Sequence, residues 1–282
     1  RPVARLQLTR LEDRTTPALL LAIDGPTLRL TEAAAATDSV TVTRVPGGLK
    51  IDLGADTFAG GPAAGPGVIY APGGGPTDST SVVVTFAAGV EPNLDFDTGT
   101  GGDAVTVGAG DLDLGQVTVD GAGLSTVTLN TLSATSLSVT ATSQVTVAGG
   151  QVVAVGGPVV IDAPSVHLGS AVTGDTVTIR ADALTASAGG GIQAATTTIV
   201  PRTATPILLG GAPATGLWLG GTLLGAIDSP VLQIGDATYP GDIRVAGAVS
   251  LPAVDELRLT TTGAANQAAR AVLTVGTLRA TA

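Results

Sequence analysis

Short apolar–polar–apolar triplets recur along nearly the whole chain, and this rhythm restricts the fold more than any other feature. They include "TLRL" from Thr27, "VTV" from Val40, Val105, Val117 and Val145, "LSV" from Leu137, "VHL" from Val166, "LQI" from Leu232 and "LRL" from Leu257. Neighbouring residues of a strand point to opposite faces, so each triplet buries two side chains and exposes one. Gly, Asn, Asp, Ser and Pro punctuate the intervals. Short strands at such spacing suit a sandwich, a barrel or a solenoid. The interior decides between them: aromatic residues are only 2% of the chain, so the apolar mass is Val, Leu, Ile and Ala. Equivalent positions in the stacked coils of a solenoid lie ~4.8 Å apart, which lets small aliphatic side chains fill a core as ladders. Two or three strands per coil would take ~20–30 residues, within the range of repeat architectures. The expected fold is all-β, a parallel β-helix or solenoid with little or no α-helix; a β-sandwich is the alternative.

Charge is scarce and lopsided. Asp, Glu, Lys and Arg make up 13% of the residues and the formal net charge is −10. Between Lys50 and Arg180 there is no Lys or Arg, while twelve acids fall there, from Asp52 to Asp175. Phosphate neutralisation needs clustered Lys and Arg, so nucleic acid and anionic bilayers are excluded as partners. A cation or a neutral glycan fits better. Without cysteine, disulfides, thiolate catalysis and Cys-based zinc sites are excluded. Without methionine, the chain is expected to be a piece of a longer protein.

Three regions follow from composition. Residues 1–26 form an N-terminal segment, capping or disordered, in which "VARLQLTRLEDR" (Val3 to Arg14) is the one helical candidate. Residues 27–90 carry the first β-coils, interrupted by a Gly/Pro-rich loop at 55–81. Residues 91–282 form the main solenoid, expected to continue past the C-terminus. From Thr203 to Ile227 no residue is charged, and "GLWLG" and "GTLLG" have GxxxG spacing. That run is long enough to span a bilayer. It is interrupted by Pro206, Pro213 and six glycines, has no flanking basic cluster, and the triplets resume at Leu232. It also lacks a phosphate-loop motif, and so reads as one coil of the solenoid.

The segment "RTATPILLGG…GLWLGGTLLGAIDSPVLQIGD…GDIRVAGAVSLPAVDELRLTTTGA", Arg202 to Ala264, resembles a repeat module of filamentous-haemagglutinin-like giant bacterial exoproteins. The opening "LTRLEDRTTPA" (Leu8 to Ala18) is similar to the "LE.R..PA" segment near the start of many large secreted bacterial proteins. The resemblance implies a right-handed β-helix in an exported, adhesin-like surface protein, with glycans or other cell-surface components as partners.

The sharpest local chemistry is "DFDTGTGGDAVTVGAGDLD", Asp95 to Asp113. Within it "TGTGGDAVT" (Thr98 to Thr106) follows the calcium-binding nonapeptide G-G-x-G-x-D-x-U-x except at its first glycine. Glycines turn tightly and expose carbonyls, and Asp103 offers a carboxylate to a hard cation, with Asp95 and Asp97 as further ligands. Such sites lie between stacked turns and need neighbouring copies. Only one copy is visible, so a solvated acidic turn is the preferred reading. His167, the lone imidazole, sits mid-triplet and should point outward. Asp162, Asp175 and Arg180 lie nearby, as a polysaccharide-cleaving lyase or hydrolase would require, yet no convergent acid–base pair is evident. No catalytic residue is assigned and the chain is not expected to be an enzyme. Trp218 and Tyr239 are either core residues or glycan-stacking platforms.

Overall fold

A triplet can bury both its ends only where further sheet closes over them, and here that closure comes from the chain winding on itself. A computed structural model describes residues 19–282 except 33–37, 66, 72–74, 100, 110 and 122. It is an all-β solenoid of about nine turns, with 55% strand, 3% helix and parallel stacked coils. The helical candidate Val3 to Arg14 lies outside the described residues.

Three strands make a coil. Asn93–Asp97, Ala104–Ala109 and Leu112–Asp113 run around three faces. Gln116–Asp120, Thr126–Leu129 and Leu132–Ala134 lie on top of them in parallel pairing, and the next coils repeat the pattern. The first and third faces belong to a 16-stranded sheet and the second to a 9-stranded sheet.

Register turns the triplets into ladders. Leu94, Val117, Leu137, Val159 and Val177 stack inward on the first face, with Phe96, Val119, Val139, Ile161 and Ile179 beside them. All are buried. Beyond Phe96 of the first coil, like aliphatic side chains meet in successive coils, so the core fills without further aromatic bulk. Thr197 occupies the next inward place and is fully buried. Its hydroxyl lies 2.6 Å from that of Ser229, which donates to the Ala194 carbonyl at 2.8 Å, so the core polar group is satisfied.

The N-terminal region departs from parallel stacking. Leu19–Asp24 pairs antiparallel with Thr27–Glu32, Ser39–Val45 with Gly48–Asp52, and Ser81–Thr85 with both Gly48–Asp52 and Val68–Ala71. Two-residue turns, at Gly25–Pro26 and at Pro46–Gly47, cause the first two of these pairings. Pro46 and Gly47 (φ 75°) reverse the chain within one sheet, whereas parallel pairing needs a long crossover. Within 55–81, the expected loop, lie the strands Phe58–Gly60 and Val68–Ala71. Phe58 and Tyr70 meet edge to face there, their ring centroids 5.9 Å apart. Among the described residues, Thr27–Glu32 and Ser39–Val45 join the coil stack from this cap, pairing in parallel with Asn93–Asp97 and Ala104–Ala109.

The uncharged run Thr203 to Ile227 forms an enlarged coil. Ile207–Leu209 pairs on one side with Ile243–Val245 and on the other with Leu217–Leu219, which packs back against Ala183–Ala186. The chain then makes the short helix Gly221–Gly225 before Val231–Ile234 rejoins the first face. No helix among the described residues is long and apolar enough to cross a membrane. Trp218 is half-buried at an outward position. Its ring lies across Gly220, and its indole N–H donates to the Gly210 carbonyl at 3.1 Å. Tyr239 is buried and so presents no stacking platform.

Candidate functional site

Two features stand out: a continuous polar ladder on the second face, and a buried group of carboxyls where the cap meets the first full coil.

The ladder follows from register. Thr41, Thr106, Thr128, Thr146, His167 and Thr185 are consecutive partners across six coils, each the outward member of its triplet. His167 takes a threonine's place and joins the hydroxyl row. Its Nδ1 lies 2.9 Å from Thr185 Oγ1 and its Nε2 lies 3.1 Å from Ser187 Oγ. The neighbouring charges do not converge on it. Asp162 pairs with Arg202 at 2.8 Å, and Arg180 faces Asp236 at 3.9 Å. Both ring nitrogens are thus engaged by hydroxyls, where a nucleophilic triad would use a carboxylate to orient the imidazole. On the first face the outward row runs Asp95, Thr118, Ser138, Val160, Thr178 and Thr198.

The carboxyl group occupies the corner between the two faces. Asp38 immediately precedes Ser39–Val45, and Asp103 immediately precedes Ala104–Ala109, which stacks on it. The Ala104 N–H donates to the Asp38 carbonyl at 2.8 Å, and the Asp38 N–H donates to Asp103 Oδ1 at 2.9 Å. Glu32 ends its strand on the adjoining face. One carboxylate oxygen from each of Glu32, Asp38 and Asp103 lies within 4.8 Å of the others. Gly99 makes this possible, because a methyl there would overlap the Glu32 carboxylate.

Burial is severe. Asp38 is 3% exposed and Asp103 0%. Among the described residues, both Asp38 carboxylate oxygens and Asp103 Oδ2 lack a hydrogen-bond partner, and no Lys, Arg or His is ion-paired to either aspartate. Burial, then the charges of Asp103, Asp56 and Glu32, push the Asp38 carboxyl up to about 6. Burial likewise raises Asp103, against the opposing pull of the Asp38 N–H. The Thr98 hydroxyl, fully buried beside Asp103, favours its ionised form without reaching good hydrogen-bond geometry.

Of the three acids read from the sequence, Asp103 therefore lies inside, and Asp95 and Asp97 lie elsewhere. Asp95 points outward and pairs with Arg29 at 2.9 Å, and Asp97 is exposed beside Asp120 of the next coil. Glu32 and Asp38 take their place around Asp103. The signal for Asp38 is a short internal repeat: "DSVTV" from Asp38 matches "DAVTV" from Asp103.

No family model, curated protein or solved structure matches the chain.

Proposed function

We propose that this chain is a structural and adhesive segment of a secreted, cell-surface β-solenoid protein of the filamentous-haemagglutinin-like kind. It holds a Thr/Ser/Asp-rich face for multivalent contact with glycans or other surface components. The observation that carries this reading is the unbroken outward row Thr41, Thr106, Thr128, Thr146, His167 and Thr185. Hydroxyls repeated every ~4.8 Å present many weak, equivalent contacts to an extended polymer, and such contacts add through effective concentration. The assigned role is binding rather than catalysis.

The test offers the purified chain a panel of polysaccharides and measures retained carbohydrate and new chain ends together. Retention without cleavage is expected, with about a tenfold loss when Thr128 and Thr146 are both changed to Lys. New chain ends would overturn the reading in favour of a carbohydrate-active enzyme working around His167 and Ser187. Retention unchanged in the double variant would remove the threonine row from the contact face.

A further inference from the structure

The corner of Glu32, Asp38 and Asp103 has a chemistry that the display of hydroxyls does not use. Two aspartates are sealed from water next to one another, with three oxygens facing no donor among the described residues. A buried ionised carboxylate without a counter-charge is among the costliest groups a fold can contain. Proteins resolve that cost by protonation, by a basic partner or by a metal ion. Among the described residues no basic side chain is ion-paired to either aspartate, so within them a shared proton or a cation is what can offset the burial.

Geometry favours the cation. Two oxygens bound to one Ca²⁺ at ~2.4 Å can be at most ~4.8 Å apart, and the three carboxylate oxygens meet that limit together. Mg²⁺ binds at ~2.1 Å, demands a near-regular octahedron and dehydrates reluctantly, so a water-poor set of carboxylates suits the more permissive Ca²⁺ better. The donors are all hard oxygens, with the buried Thr98 hydroxyl alongside. They also arrive from both coils: Asp38 from the cap, Asp103 and Thr98 from the coil above, and Glu32 from the neighbouring face. Further along, the residues at this corner are Ser125, Ser143, Pro164 and Asp182, with no two acids in succession. The acidic pair is thus confined to the junction between cap and solenoid.

We propose that Glu32, Asp38 and Asp103 hold one Ca²⁺ ion that fastens the antiparallel cap to the first full coil. The ion supplies the missing positive charge and ties two segments whose aspartates are 65 residues apart in sequence. This site stands independently of any glycan contact.

The test uses the whole chain, stripped with chelator and titrated with CaCl2 by calorimetry, alongside thermal melts with Ca²⁺, Mg²⁺ or neither. A saturable binding heat with one equivalent of Ca²⁺ is expected, with a Tm rise of about 5 °C that Mg²⁺ does not reproduce. In Asp38→Asn, Glu32→Gln and Gly99→Ala both signals should fall at least tenfold in apparent affinity. Asp95→Asn and Asp97→Asn should leave them unchanged. If Asp38→Asn fails to fold, the binding heat of the wild-type chain against Gly99→Ala still decides. No calcium heat in the wild type overturns the proposal. So does a calcium response that survives Asp38→Asn. A rise in Tm in Asp38→Asn with no calcium response in the wild type would identify a shared proton at the corner, and would equally overturn it.

Discussion

The middle of the chain and its cap solve the same problem, a closed apolar interior, by different means. From Asp97 to Val200 there is no aromatic residue, because each coil repeats the last and a valine or leucine finds its own kind above and below. In the cap, antiparallel hairpins present unlike surfaces to one another, and Phe58, Tyr70 and Phe86 are gathered there, with Phe96 in the first coil that packs against it. The other two aromatics, Trp218 and Tyr239, fall in and just after the enlarged coil. Aromatic bulk marks the places where repetition fails. The same contrast holds for charge: the regular core is neutral, and the buried acids stand at the one seam between two architectures.

The largest expected effect probes the seam. Phe96 is fully buried where the first coil meets the cap strand Thr27–Glu32, and Phe96→Ala should lower unfolding free energy by ~3–5 kcal/mol in denaturant melts. In the regular stack, Ile179→Val removes a single methyl group from a ladder and should cost only ~1 kcal/mol. Equal costs would contradict the division between cap and stack.

Close approach between coils should matter next. A methyl at Gly157 would meet the Thr135 carbonyl of the coil below, so Gly157→Ala should cost ~1–3 kcal/mol. Hydrogen exchange should show the loss concentrated between Ser136–Thr140 and Pro158–Asp162. Uniform loss of protection along the chain would mean that the coils do not open independently.

Tyr239 tests the C-terminal irregularity. Its hydroxyl donates to the Thr205 carbonyl, and burial, followed by the Asp242 charge, pushes its pKa up to about 12. A tyrosine whose folded pKa is raised above the unfolded value near 10 contributes stability fully below pH ~10 and loses it as pH climbs towards 12. Tyr239→Phe should cost ~1 kcal/mol at neutral pH through the stranded carbonyl. It should also flatten the alkaline decline, as read by melts at successive pH values. The smallest effect belongs to the partly exposed Arg202–Asp162 pair. Arg202→Ala should cost ~0.5 kcal/mol or less, and that small loss should vanish in high salt.

Much of the solenoid was legible because period-two alternation is a local property, and triplets such as "VTV" at Val117 and "LSV" at Leu137 carry it wherever they stand. The hairpin cap was not, because "LKI" from Leu49 looks the same in an antiparallel as in a parallel strand. Only the two-residue turn at Pro46 and Gly47 separates them. At the candidate site, Asp103 was visible through its glycine-rich setting, whereas Asp38 and Glu32 join it only through stacking. The enlarged coil was hidden for a similar reason: nothing in "PILLGG" and "GLWLGG" says that the later segment tucks back beneath the earlier one.

The parallel ladders also have a mechanical side. Every strand lies across the long direction of the stack, so a pull along that direction loads the interfaces between coils in series, like links of a chain, while the hydrogen bonds within one interface share the load in parallel. Neighbour-to-neighbour coupling then lets one coil peel away while those beyond it stay wound. A segment built this way yields stepwise and lengthens under tension instead of snapping. The seam at Asp38 and Asp103 sets how firmly its first coil is held.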